Sequence, residues 1–189
     1  SAFATAIEIE ALPTGSWGYQ YFPTNVRFAR NFNRPYLGMT ARFHKSWADF
    51  GGLKPYAALE YETAQMAAHG ARCSVGDQLH PRGTLDKGAY QLIGQAYKRI
   101  AEREPWLVDA KPVTQIGVML VDDDASREGW TRMLTQLKHQ FDIVLPNASI
   151  EKYDLVILPD SLRVDSALAK QLDAYVLSLI HISEPTRRY

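Results

Sequence analysis

From Ala6 to Leu12 the chain alternates apolar and polar residues (Ala6-Ile7-Glu8-Ile9-Glu10-Ala11-Leu12), the period of a β-strand, and Pro13, Thr14 and Gly15 stop it. Thr24 to Phe32 has helical spacing, with Val26, Ala29 and Phe32 as its inner positions. Tyr36 to Thr40 reads as a second strand. Lys54 to His69 reads as a helix, with Pro55 near its first turn, Leu59, Ala64 and Met66 as apolar positions and Gly70 as its cap. Arg72 to Val75 is a third strand, and its small and apolar residues predict burial on both faces. Asp86 to Arg103 carries one apolar stripe of Leu92, Ile93, Ala96 and Ile100. The order is βαβαβα, and each crossover is long enough to make the strands parallel and the connections right-handed. Such units fit part of a (β/α)8 barrel or part of an open doubly wound sheet.

Glu104 to Pro112 breaks this pattern, and a boundary is placed there. Gln115 to Val121 then predicts an apolar strand, and Glu128 to Phe141 a helix. Ile143 to Leu145 and Tyr153 to Pro159 predict two more strands, and Ser166, as N-cap, begins a further helix running to Val176. This second run reads as the opening of a three-layer α/β domain of the flavodoxin-like type.

In α/β proteins ligands bind at the carboxyl ends of parallel strands, so the strand ends are searched for chemistry. The third strand leads through Gly76 into Asp77-Gln78-Leu79-His80-Pro81, three polar groups within four residues. The second leads into Arg42-Phe43-His44-Lys45-Ser46-Trp47-Ala48-Asp49. There His44 can hydrogen-bond and Trp47 can stack on a sugar face; the alternative is a polar loop pinned by a buried Trp. On the first strand Glu8 and Glu10 share a face, opposite Ile7 and Ile9. Either this face meets a closed interior, where two carboxylates are hard to justify as packing, or it is a solvated face and both are ordinary. Glu10, nearer the strand's carboxyl end, is the leading catalytic carboxylate. A metal set of Glu10, His44, Asp77 and His80 follows no compact ligand spacing, and no metal is expected. Asp122-Asp123-Asp124 follows the first strand of the second run, where three acids would repel a phosphate; they suit a helix N-terminus instead. No cofactor motif is present.

Composition narrows the function classes without choosing among them. Of 189 residues, 46% are hydrophobic and 22% charged, the balance of a soluble globular protein. The net charge of +0 gives no reason to expect a nucleic-acid or membrane-surface partner. The one cysteine, Cys73, excludes an intrachain disulfide framework and suits a reducing cytoplasm. Both ends read as those of a fragment: Ser1-Ala2-Phe3 enters a strand at once, and the stretch 177–189 resembles translated sequencing-adapter read-through, the alternative being a real helix end and a Pro-containing tail.

The motifs around Glu10 (Ile7 to Gly15 with Trp17-Gly18-Tyr19), Leu37-Gly38-Met39-Thr40 through His44-Lys45-Ser46-Trp47, Cys73 through Pro81, and Glu104-Pro105-Trp106 resemble, in order, glycoside hydrolases related to bacterial α-L-fucosidases. That resemblance implies that residues 1–108 are the C-terminal part of a catalytic (β/α)8 barrel. Residues 113–176 would begin a β-galactosidase trimerisation-type domain, similar in fold to class I glutamine amidotransferases. It further implies a carbohydrate substrate, a homo-oligomer of three or more subunits, and hydrolysis of an O-glycosidic bond by a carboxyl pair; the single cysteine sets the expected location as cytoplasmic, and the missing motif sets the expectation of no cofactor. Glu10 and Asp77 are the best pair available, unless the nucleophile lies on a strand outside this stretch. Glu8, Trp17, His44, Trp47, Gln78 and His80 would then contact sugar. The competing expectation is a non-catalytic amidotransferase-like ligand-binding or oligomerisation module.

Overall fold

A computed structural model describes the backbone of residues 4–182 and the side chains of residues 4–178. The chain forms two compact units, Ser1–Pro112 and Val113–Tyr189. In the first, β1 (Ile7–Glu10), β2 (Tyr36–Ala41) and β3 (Arg72–Gly76) form a parallel sheet in the order β1-β2-β3. The connections carry α1 (Tyr21–Ala29) and α2 (Tyr56–Ala68), and β3 is followed by α3 (Lys87–Ala101) and the short α4 (Glu104–Leu107).

One face of this sheet is covered. Ile9, Gly38 and Cys73 lie in line across it. Gly38 leaves room for the helices: an added Cβ would sit 2.5 Å from the Phe22 ring and 2.7 Å from Met66 Cγ. Ile9, Phe22, Val26, Ala29, Met66 and Ala71 close the core there, each large side chain contributing about 1.5–3 kcal/mol by burial. The Glu8–Glu10 face is the other one, and it is open: Glu8 is exposed and Glu10 half-buried. The expectation that β3 is buried on both faces fails, since Cys73 to Gly76 are only half-buried. The reason is positional: β3 is an edge strand of this sheet. The first helix both starts and ends three residues before its expected bounds; it stops at Ala29, so Phe32 falls outside it and is exposed, with its ring edge-on to Phe28 at 4.9 Å. Ala64 is likewise exposed, on the outer face of α2.

Under the covered face lies a sealed ion pair. Lys54, in the segment before α2, donates to Glu62 at 2.7 Å, with side-chain exposures of 1% and 4%. Thr40 Oγ1 accepts from Lys54 Nζ at 2.7 Å and donates to Glu62 at 2.6 Å, and the Tyr19 hydroxyl reaches the other Glu62 oxygen at 3.3 Å. Burial pulls the Lys54 ammonium below its ordinary pKa, while Glu62 draws it back up. The arrangement bolts β2 to α2, because each charge needs the other once water is gone. Lys54→Met is expected to lower stability by about 3 kcal/mol, and Lys54→Met with Glu62→Leu to recover most of that loss, both read from urea unfolding. A single substitution without cost would mean that water reaches the pair.

At the far end of α2, the His69 ring lies edge-on to Phe22 at 6.0 Å, and its Nδ1 is 2.8 Å from the Gln65 carbonyl. Burial, and then the positive charge of Arg27, push its pKa down from 6.5 to about 4. The folded chain therefore holds this ring neutral where the unfolded chain already takes a proton. Stability should fall by roughly 2–3 kcal/mol as pH drops from 6.5 to about 4, with no further loss from this group below that. His69→Gln should flatten that segment of the stability–pH curve, measured by urea unfolding at successive pH values.

The second unit is another parallel sheet, order β5-β4-β6, made of β4 (Ile116–Met119), β5 (Phe141–Val144) and β6 (Leu155–Ile157), with α5 (Asp124–Gln136) and α6 (Ser166–Ile182). Here the sequence reading misplaces the helix between β4 and β5. It begins at Asp124, not Glu128, because Asp123 caps it by accepting from the Ala125 N–H at 3.1 Å. It ends before Lys138, whose φ of 62° breaks it. Phe141 thus belongs to β5 and is fully buried. The last helix is capped by Asp165, which accepts from Ala167 and Leu168 at 3.0 and 2.8 Å, rather than by Ser166. The buried Asp142 carboxylate gathers Thr114 Oγ1 at 2.9 Å, the Tyr153 hydroxyl at 2.8 Å and Lys152 Nζ at 3.2 Å. The expected read-through tail falls partly within α6, and its residues 183–189 lie outside the described ones. Among the described residues no helix is long and apolar enough to cross a membrane.

Candidate active site

Parallel pairing fixes where the chemistry collects. Glu10 pairs with Met39, and Ala41 with Gly76, so β1, β2 and β3 all end on one rim of the sheet. The ladder runs just past the strands: the Ala11 N–H donates to Met39 at 2.8 Å and the Arg42 N–H to Gly76 at 3.0 Å. The loops after β1 and β2 are locked together. The Thr14 hydroxyl donates to the His44 carbonyl. Gly15 is indispensable there, since a Cβ would collide with the Lys45 carbonyl oxygen at 1.8 Å.

The loop after β2 bends over the rim. The Asp49 carboxylate accepts from the backbone N–H groups of His44, Lys45 and Gly52 at 3.1–3.2 Å, which shapes residues 44–52 into a closed turn. This turn delivers Trp47. Its ring lies edge-on to Phe43 at 4.9 Å and against Gly76, where an added Cβ would be 2.7 Å from it. Its indole N–H donates to Glu10 Oε1 at 2.5 Å. Glu10 Oε2 has no hydrogen-bond partner among the described residues. Trp47 as a residue remains 41% exposed, beside the carboxylate.

Asp77 and Gln78 sit at the end of β3 and are bound to Arg42. The Arg42 Nε–Asp77 Oδ1 distance is 2.5 Å, with side-chain exposures of 8% and 11%. The same guanidinium donates to the Phe50 and Gly52 carbonyls at 3.2 and 3.0 Å and to Gln78 Oε1 at 3.3 Å. Asp77 Oδ1 also accepts the Gln78 N–H at 2.7 Å, and Gln78 Nε2 donates to the Trp47 carbonyl at 2.6 Å. Glu10, Trp47, Asp77 and Gln78 are thus brought into one hydrogen-bonded cluster. His44 and His80 are not: both are exposed, His44 being held by its backbone and His80 by the Arg82 N–H at 3.2 Å. Trp17 packs edge-on against Tyr21 at 4.9 Å, and Glu8 lies one pleat back from the rim. No group of three metal-ligating residues occurs among the described residues.

Arg42 is the residue the sequence reading passed over. It stands beside His44 and Trp47 in a motif already singled out, but a lone Arg after a strand gives no sign of being buried. The sign was Asp77 at the corresponding place on the next strand.

A parallel sheet with a carboxylate and an aromatic platform at its carboxyl rim defines an α/β protein with its ligand face at the strand ends. The comparisons with known proteins narrow this. The chain matches no family model and none of the curated proteins. Among solved structures it is similar to α-L-fucosidase isoenzyme 2 from Paenibacillus thiaminolyticus, at 37% identity and a TM-score of 0.89, over 94% of this chain and 29% of that one. It also shares the fold of the β-galactosidase from Bacillus circulans sp. alkalophilus (13% identity, TM-score 0.72, 90% of this chain and 30% of that one). A GH42 β-galactosidase from G. stearothermophilus is alike to the same degree (14%, TM-score 0.71, 90% and 31%). The chain is therefore related to glycoside hydrolases, and it spans about 30% of the length of those it resembles.

Replacing Asp77 by Ala should cost about 3 kcal/mol in urea unfolding, because it strands a buried guanidinium. An unchanged midpoint would mean that Arg42 regains water when its partner is lost.

Proposed function

We propose that the chain is part of a glycoside hydrolase that cleaves an O-glycosidic bond of the α-L-fucoside or β-galactoside type, with Glu10 as a catalytic carboxylate. The observation that carries this reading is the Glu10–Trp47 pair: a carboxylate at a strand's carboxyl end, one oxygen fixed by an indole N–H and the other without a hydrogen-bond partner among the described residues, beside a tryptophan that is 41% exposed. A carboxyl group fixed in this way can exchange a proton with the glycosidic oxygen or attack the anomeric carbon, while a sugar ring stacks on the indole. The 37% identity to a named α-L-fucosidase supports the substrate class.

The second carboxyl is a separate matter. Asp77 is neutralised by Arg42 and its Oδ1 is doubly engaged. We assign Asp77 to holding the rim, and place the partner carboxyl on a part of the enzyme beyond these 189 residues. Gln78, His44, His80, Trp17 and Glu8 remain candidates for contacts with sugar hydroxyls or more distant sugar units. The open Glu8–Glu10 face would be the interior of a (β/α)8 barrel, which the first unit contributes to. The β5-β4-β6 order of the second unit suits the flavodoxin-like, trimerisation-type domain of an oligomer of three or more subunits. A cytoplasmic location suits Cys73, a free thiol whose pKa burial pushes up to about 11, too high to react readily.

The test is Glu10→Gln in the full-length protein, assayed on aryl α-L-fucosides and aryl β-galactosides. Turnover should fall at least about 1,000-fold, whereas Glu8→Gln should stay within about tenfold of the parent. Near-normal turnover of Glu10→Gln would remove Glu10 from the reaction.

A further inference from the structure

We propose that Arg42 is a positioning residue for Glu10, acting through Gln78 and Trp47; this rests on Glu10 being the catalytic carboxylate. Four residues are joined by three successive hydrogen bonds. The Arg42 guanidinium donates to Gln78 Oε1, Gln78 Nε2 donates to the Trp47 carbonyl, and the Trp47 indole N–H donates to Glu10 Oε1, at 3.3, 2.6 and 2.5 Å. The first link also fixes which end of the Gln78 amide faces Trp47: with its oxygen turned to Arg42, only the NH2 group is left to meet a carbonyl.

Arg42 does more than touch Gln78. Its Nη1 group donates to the Phe50 and Gly52 carbonyls, on the far side of the same turn that carries Trp47. Both flanks of that turn are therefore tied to one buried, planar group, and Asp77 holds the group from the opposite side. A guanidinium is suited to this because its donors diverge from three nitrogens in a rigid planar fork; an ammonium's three donors all leave one atom and cannot span the same set of acceptors. The indole has no other hydrogen-bonding group, so the direction of its single N–H is set by where the turn places its backbone. A shift of the turn moves the donor that orients Glu10, and small displacements of a reacting group cost large factors in rate.

The fork is testable through Arg42→Lys, which keeps the charge, and Gln78→Leu, which leaves the Arg42–Asp77 pair intact. The full-length protein is labelled with 5-fluorotryptophan, and Trp47→Phe identifies the Trp47 fluorine resonance. In both variants that resonance is expected to shift, while the other tryptophan resonances stay in place. On aryl glycosides kcat should fall about 10- to 100-fold with KM within about threefold. If Arg42→Lys fails to fold, Gln78→Leu decides. A Trp47 resonance or a kcat left unmoved by the variants that fold would overturn the proposal. The two readings fail separately: an active Glu10→Gln enzyme removes the catalytic assignment, whereas an unmoved Trp47 resonance removes only the link from Arg42.

Discussion

The parallel hydrogen-bond ladder joining β1, β2 and β3 is the constraint on which the rest of the first unit depends. Its register sets Glu10 beside Met39 and Ala41 beside Gly76, and it continues one residue beyond the strands on each side. Because the strands run the same way, their three exits meet on one rim, and each exit can supply a different kind of group. The first gives a carboxylate, the second a looped indole and a guanidinium, the third a carboxylate with an amide. An antiparallel pairing would have sent β2's exit to the opposite end and separated Trp47 from Glu10.

Two buried ion pairs among the described residues of this unit, Lys54–Glu62 and Arg42–Asp77, do different work. Lys54–Glu62 is sealed beneath the sheet, and its partners, Thr40 and Tyr19, only complete its hydrogen bonds. It fastens a helix to a strand. Arg42–Asp77 lies at the rim, and the arginine has donors to spare, which it spends on the loop that carries Trp47. Both pairs are costly to break for the same reason, the loss of a partner in a place water does not reach. Only the second transmits its geometry to the candidate active site. Glycines serve the same close fit: Gly38 admits Phe22 and Met66 on the covered face, while Gly15 and Gly76 admit a carbonyl and an indole at the rim.

The chain's alternation and helical spacing were enough to determine the order of the longer elements, the parallel pairing of three strands and the shared face of Glu8 and Glu10, because these follow from periods of two and 3.6 residues and from crossover length; the short α4, in the stretch read as a break, was not among them. Strand-end logic likewise picked Glu10, Trp47, Asp77 and Gln78. Tertiary structure decided what pattern cannot encode. The helix of the second unit begins four residues before the expected Glu128, where Asp123 caps it. The three-strand arrangement leaves β3 half-covered, however apolar its sequence. The His44 and His80 side chains stay out of that hydrogen-bonded cluster: the Asp49 turn holds His44 by its backbone, and His80 accepts from the Arg82 N–H in its own loop. Arg42 became a buried fork rather than a surface charge because Asp77, 35 residues further along the chain, arrives beside it only when the strands pair.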